Sequence, residues 1–204
     1  QMNLDKLKLA EANFLQMFPA GFEDEGLTEV RKRHNLSKMN LFALEVFREE
    51  NFFVADKFLN GLVKIISRSS MLSLFEKPKF RDMISSLNSS EKELLTYYYS
   101  ELFHGNQEKA FDSIVDFLAF YKMAKWSVVT IGMSYYKPER EVFVKPTTTK
   151  KIISELELDL IYRPRPTWSF YERYRETVFE IKKNVSSSLA PNNAALTGFL
   201  MLAL

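Results

Sequence analysis

"WSVVTIGMSYYKPEREVFV", Trp126–Val144, is the stretch whose reading decides the fold. Its opening run is β-branched and aromatic, KPER is turn-like, and EVFV is short and strand-prone, a composition that suits a β-hairpin. A buried helix followed by a loop fits equally well, because a short apolar run does not separate the two by period. The reading leans to a helix over Trp126–Met133 and keeps the hairpin as its alternative. The flanking sequence is largely helical in period, so this stretch separates an all-helical chain from one with a β element set into it.

Upstream, Leu4, Leu7, Phe14, Leu15 and Phe18 recur at helical spacing, and Pro19-Ala20-Gly21 supplies a stop. Glu25 to Glu50 reads as two helices broken near Asn35-Leu36-Ser37, with Ser37 as the cap of the second. Phe58, Leu62, Ile65 and Ile66 mark an apolar face within Phe53–Ser67, and Lys57 and Lys64 fall on its other side. The Ser-, Lys- and Pro-rich span from Ser67 to Ser89 is expected to be a connection holding a short or broken helix. In "NSSEKELLTYYYSELFHG", Ser90 stands three residues before Glu93, the capping-box spacing, and Gly105 offers a left-handed stop. Gln107–Ala124 places Phe111, Ile114, Val115, Leu118 and Tyr121 on one stripe widened by Phe117 and Phe120, which predicts a central helix.

Downstream, Pro146 makes Lys145 extended, and Thr147 or Thr148 is expected to cap a helix through TTKKIISELE. "LDLIYR" suits a short strand, Pro164 and Pro166 hold the chain extended up to Trp168, and a helix then resumes. Its inner face carries Phe170 or Tyr171, then Tyr174, Val178 and Ile181. The apolar tail AALTGFLMLAL has 11 residues, short of the roughly 20 a membrane span needs, so a buried closing helix is expected. The fold class is therefore mainly α: a single-domain multi-helix bundle with a short β-hairpin or irregular segment around 126–163, and a sub-division near 68–89 as the other domain reading.

Composition narrows the function classes. The chain has 204 residues, is 46% hydrophobic and carries 18 Phe, which points to an aromatic core. It has no cysteine, which excludes disulfides, thiolate metal sites and a cysteine nucleophile. A formal charge of +2 is too small for nucleic-acid binding by bulk field, so any electrostatic argument rests on clustering. The charged N-terminal stretch lacks the apolar run of a secretion signal, and a cytoplasmic location is the expectation.

One basic cluster stands out. Lys145, Lys150, Lys151, Arg163 and Arg165 fall close together and end at Trp168. Helix amides and Arg forks there suit a phosphate or nucleic-acid surface, with Trp168 as a stacking face or as a hydrophobic anchor. Against this, Glu155, Glu157 and Asp159 follow directly and favour a solvated, ion-paired face. "EVRKRHN", Glu29–Asn35, is a second basic cluster, and if the fold brought it beside Arg163 and Arg165 the two would form a basic stripe, with Trp168 and Tyr162 interleaved, of the kind that binds a single strand.

Catalytic patterns are not found. His34 and His104 form no HExxH frame, there is no phosphate loop or nucleophile elbow, and Glu23, Asp24 and Glu25 read as helix-dipole complements before a metal site. No catalytic residue, metal or cofactor is assigned. The expected function is a non-enzymatic binding module for an anionic partner, nucleic acid first. The alternative is a helical structural or interaction protein, including a homo-oligomer, with no membrane partner.

The runs WSVVT, VFVKPTTTK and LDLIYRPRPTW followed by SFYERY, with FPAGF near the N-terminus, resemble a pattern of uncharacterised bacterial proteins. In that pattern a Trp-Pro-x-Val-Thr-like element precedes a Lys-Pro-x-x-Thr-Lys helix and a Tyr-x-Pro-x-Trp turn. The likeness covers roughly the last eighty residues and departs from the pattern at Ser127, where proline is expected. It implies a single, mostly helical domain and carries no active site.

Overall fold

A computed structural model describes residues 1–204, and the chain is helical throughout, with no strand. Helix α1 spans Leu4–Met17, opened by the Asn3 side chain accepting from Lys6 N at 3.0 Å. The 3₁₀ turns Gly21–Glu23 and Glu25–Leu27 lead into α2, Thr28–His34, and α3, Leu36–Val46. Asn35 breaks them in the left-handed region at φ 47°, a conformation Asn tolerates because its side chain is short and polar. A 3₁₀ turn at Glu49–Phe53, then α4 (Ala55–Arg68), α5 (Glu76–Ser86), α6 (Ser89–His104) and α7 (Gln107–Phe120) complete the first part of the chain. The rest holds α8 (Trp126–Tyr136), α9 (Pro146–Glu155), α10 (Trp168–Lys183), a 3₁₀ turn at Ser187–Leu189 and α11 (Asn193–Ala203).

The deciding stretch is helix α8, and every residue from Trp126 to Tyr135 is buried. Burial on all sides explains why β-branched composition misleads here. A strand in that position would need ladder partners on both edges, whereas a helix satisfies its own backbone. The hydroxyl of Thr130 donates to Trp126 O at 2.7 Å and accepts from Val144 N at 3.0 Å, tying the extended segment Val142–Val144 to the helix without a hairpin. Helices α3, α4 and α7 pack around α8, the α6–α7 pair forms a neighbouring layer, and α10 packs on α7. At the other end, α1 and α9 close against α11.

Several local expectations move. The capping box of α6 is built by Asn88 and Glu91, a residue pair two positions earlier than Ser90 and Glu93. Asn caps as well as Ser, and the earlier start adds backbone bonds. Gly105 does close α6, but at φ −142° and not in the left-handed region. Neither Ser37 nor Thr147 or Thr148 is a cap: Asn35 and Lys145 precede their helices with no side-chain bond, and Pro146 occupies the first turn of α9, where its missing N–H costs nothing. LDLIYR keeps the alternation of an extended chain, Leu160 in and Ile161 out, but no strand lies beside it to pair with. Phe120 lies beyond the stripe of α7 and is 82% exposed.

One contiguous core of 51 buried side chains runs from Leu7 to Leu200, so no separate core forms on either side of residues 68–89. The proline-rich segment is fixed on this core at successive points. The Trp126 indole N–H donates to Arg163 O at 2.7 Å, Arg165 reaches Asp116 Oδ1 at 2.6 Å, and Asp112 Oδ1 accepts from Trp168 N at 2.9 Å. No helix is long and apolar enough to cross a membrane.

Candidate anion-binding cleft

The structure separates the residues of the 145–168 cluster. Arg165 is ion-paired with Asp116, Lys151 Nζ donates to Met201 O at 2.8 Å at the end of α11, and the Lys150 ammonium lies 5.1 Å from the Tyr162 ring centroid. Trp168 is 7% exposed, with the Arg175 guanidinium 5.2 Å from its ring centroid. It is an anchor and presents no face on which a base could stack. Arg163 is solvent-exposed, its carbonyl committed to Trp126. Lys145 alone faces the other basic cluster.

That meeting forms a cleft of about 580 Å³ between α2, the chain at Ser70–Met71, the extended Phe143–Lys145 segment and α11. Arg33, His34 and Lys145 line one side, while Phe143, Ala195, Gly198, Met201 and Leu202 give an apolar wall. Local sequence sets this up. The left-handed Asn35 ends α2 just past Arg33 and His34, and Pro146 starts α9 just past Lys145. Both cations are therefore held beside fixed helix ends. Arg31, also in the lining, is committed elsewhere: its guanidinium donates to Phe22 O, and to Asp24 O at 2.8 Å, and lies 3.9 Å from Glu23. Arg33 and Lys145 form no ion pair or side-chain hydrogen bond.

His34 lies between these charges, with Nδ1 2.7 Å from Ser70 Oγ. Burial, and then the positive charges of Arg33 and Lys145, push its pKa below the ordinary imidazole value. An anion seated here would relieve that repulsion. Past Lys145 a second recess of about 520 Å³ shares Ser70 and Met71 and is lined by Ser73, Glu76, Lys125, Thr147 and Tyr162. Burial works against the charge of Glu76, yet bonds from Ser127 Oγ and from Ser73 hold its carboxyl below the usual range.

The sequence pointed to both basic clusters but not to the apolar wall, because the α11 residues that form it read simply as core. A second polar group also escaped it. Glu141, 4% exposed, accepts from Arg175 Nη1 at 2.5 Å, Gln107 Nε2 at 2.5 Å and the Tyr171 hydroxyl at 3.3 Å. Nothing in the turn-like KPERE announces a buried charge. It is sealed in by its partners and opens to neither cleft. Asp24, one of the three clustered acids, accepts from Gly26 N and Ala20 N, which draws its pKa down and makes it a turn cap.

Comparison with known protein families, with curated proteins and with solved structures returns no match.

Proposed function

We propose that the chain is a non-enzymatic binding module for an anionic partner, seated in the cleft between Arg33, His34 and Lys145. The observation that carries this reading is the convergence, from two distant parts of the sequence, of two cations without acid partners around a histidine whose proton they repel. Placing like charges together costs free energy unless a counter-charge completes the site. Nucleic acid is one such partner, although the buried Trp168 removes the stacking face a single-strand surface would use.

Pyrophosphate titrated by calorimetry at rising salt tests the reading. Binding is expected to weaken with salt and to vanish in Arg33→Glu/Lys145→Glu, while Lys150→Glu and Arg165→Glu leave it unchanged. Loss of binding in the latter pair, with the cleft pair intact, would move the site to the outer face of the 145–168 segment. No binding by the native chain would sink the reading. A single-stranded oligonucleotide that binds with a steep salt slope would identify the partner as nucleic acid. A second reading, self-association, is favoured by Phe53, Phe75 and Phe120, which are 85%, 79% and 82% exposed. Light scattering over a concentration series checks it, and a constant monomer mass would count against it.

A further inference from the structure

We infer that the cleft takes a phosphate monoester carrying a single alkyl or acyl chain, with the phosphate among Arg33, His34 and Lys145 and the chain along α11. This rests on the proposed anion-binding reading and names the ligand class for the same site.

Charge and surface together select that class. Arg33 and Lys145 come to the cleft from two separate parts of the chain, and His34, its Nδ1 occupied by Ser70 Oγ, keeps Nε2 for a ligand. Two permanent cations and one more donor match a phosphate monoester, which carries close to two negative charges at neutral pH and three acceptor oxygens. A carboxylate, with a single charge, would leave one cation unmatched. Arg31 and Glu23 face the same cleft but are engaged with each other and with backbone carbonyls, so they do not alter this balance.

The remaining lining fits a chain better than a ring. Met201 and Leu202 are 41% and 54% exposed on the wall of α11, and Gly198 beside them leaves the surface low. The aromatic liners Phe22 and Phe143 are each 7% exposed and offer little face for stacking a base. Past Lys145 the lining turns polar, with Ser73, Glu76, Lys125 and Thr147. A chain therefore leaves the phosphate in one direction, towards α11.

The test is a calorimetric series of n-alkyl phosphates, from hexyl to dodecyl, each below its micelle concentration, with inorganic phosphate as the chainless probe. The dissociation constant is expected to fall about two- to fourfold per added methylene as apolar surface is buried. Lys145→Ala is expected to weaken the whole series by about tenfold and leave the chain-length slope unchanged. Met201→Ser, which trims the exposed apolar wall without adding charge, is expected to flatten the slope and spare inorganic phosphate. Equal affinity for inorganic phosphate and dodecyl phosphate would overturn the inference and leave the anionic reading standing. Equal affinity for dodecyl maltoside and dodecyl phosphate would overturn both, as would no binding of any probe.

Discussion

Glu141 and Arg175 bury opposite charges 2.5 Å apart, with Gln107 and the Tyr171 hydroxyl completing the shell. Burial, and then the negative charge of Glu141, push the Tyr171 hydroxyl well above its ordinary pKa, so the phenol stays a donor. Removing one partner of such a pair leaves the other charged and dry. Arg175→Met is expected to cost about 3–5 kcal/mol in urea unfolding, and Arg175→Met/Glu141→Leu to recover most of it. A double variant as unstable as the single one would show that the packing of Arg175 on Trp168 and Tyr171 matters more than its charge. At His34 the effect is set by pH. Its folded pKa lies below the unfolded value, so the unfolded chain binds the proton more readily. Stability is therefore fully present above the unfolded pKa, falls as pH drops through about 6.5, and levels off below the folded value. His34→Asn is expected to flatten the unfolding midpoint between pH 7.5 and 5.5. An unchanged profile would remove His34 as the group responsible.

The helices show which elements the sequence makes legible and which it hides. Amphipathic elements such as α4, with Phe58, Leu62, Ile65 and Ile66 inward, are readable because one side faces water and the contrast is written in the residues. Helix α8 has no such contrast, since all its faces are buried, and its β-branched composition reflects packing and not backbone preference. LDLIYR shows the converse: its alternation is real, but a strand needs a partner that no local pattern reveals. The cleft was half legible for the same reason. Its cations stand out in the sequence, whereas their meeting and the α11 wall are tertiary facts. Helix boundaries can be read from caps only where candidates do not compete, and around α6 they do. Asn88→Ala is expected to cost about 1 kcal/mol, because Asn88 Oδ1 accepts from Glu91 N at 2.9 Å and Glu91 Oε1 from Asn88 N at 2.9 Å. Ser90→Ala, inside the first turn and without a cap bond, is expected to change stability by less than about 0.5 kcal/mol. Denaturant midpoints for the two variants decide the register, and the reverse order would restore the later start.

The two ends of the chain close on each other over one contiguous core. Helix α1 packs on α11, where the Phe14 and Phe199 rings meet edge to face at 5.2 Å, and the turn Gly21–Glu23 packs on Ser187–Leu189. Gly21 is the tightest point of that closure. Its φ of 71° lies in the left-handed region, and a Cβ there would sit 2.4 Å from Ser188 O, which is backbone and cannot swing away. Gly21→Ala is therefore expected to cost about 1–3 kcal/mol through strain and displacement of the second turn. The location of the loss tests the architecture. Trp126 and Trp168 report on α8 and α10, in the middle of the molecule, while far-ultraviolet circular dichroism reports on all the helices together. With one contiguous core, both signals should share a single midpoint in the native chain and shift together in Gly21→Ala. If the chain instead divided near residues 68–89, or if the closed ends frayed on their own, the dichroism would lose amplitude in an early phase while the tryptophan midpoint stayed in place. Coincident curves in both proteins thus require that the contact between the ends be energetically continuous with the helix at the centre, and separated curves would show that it is not.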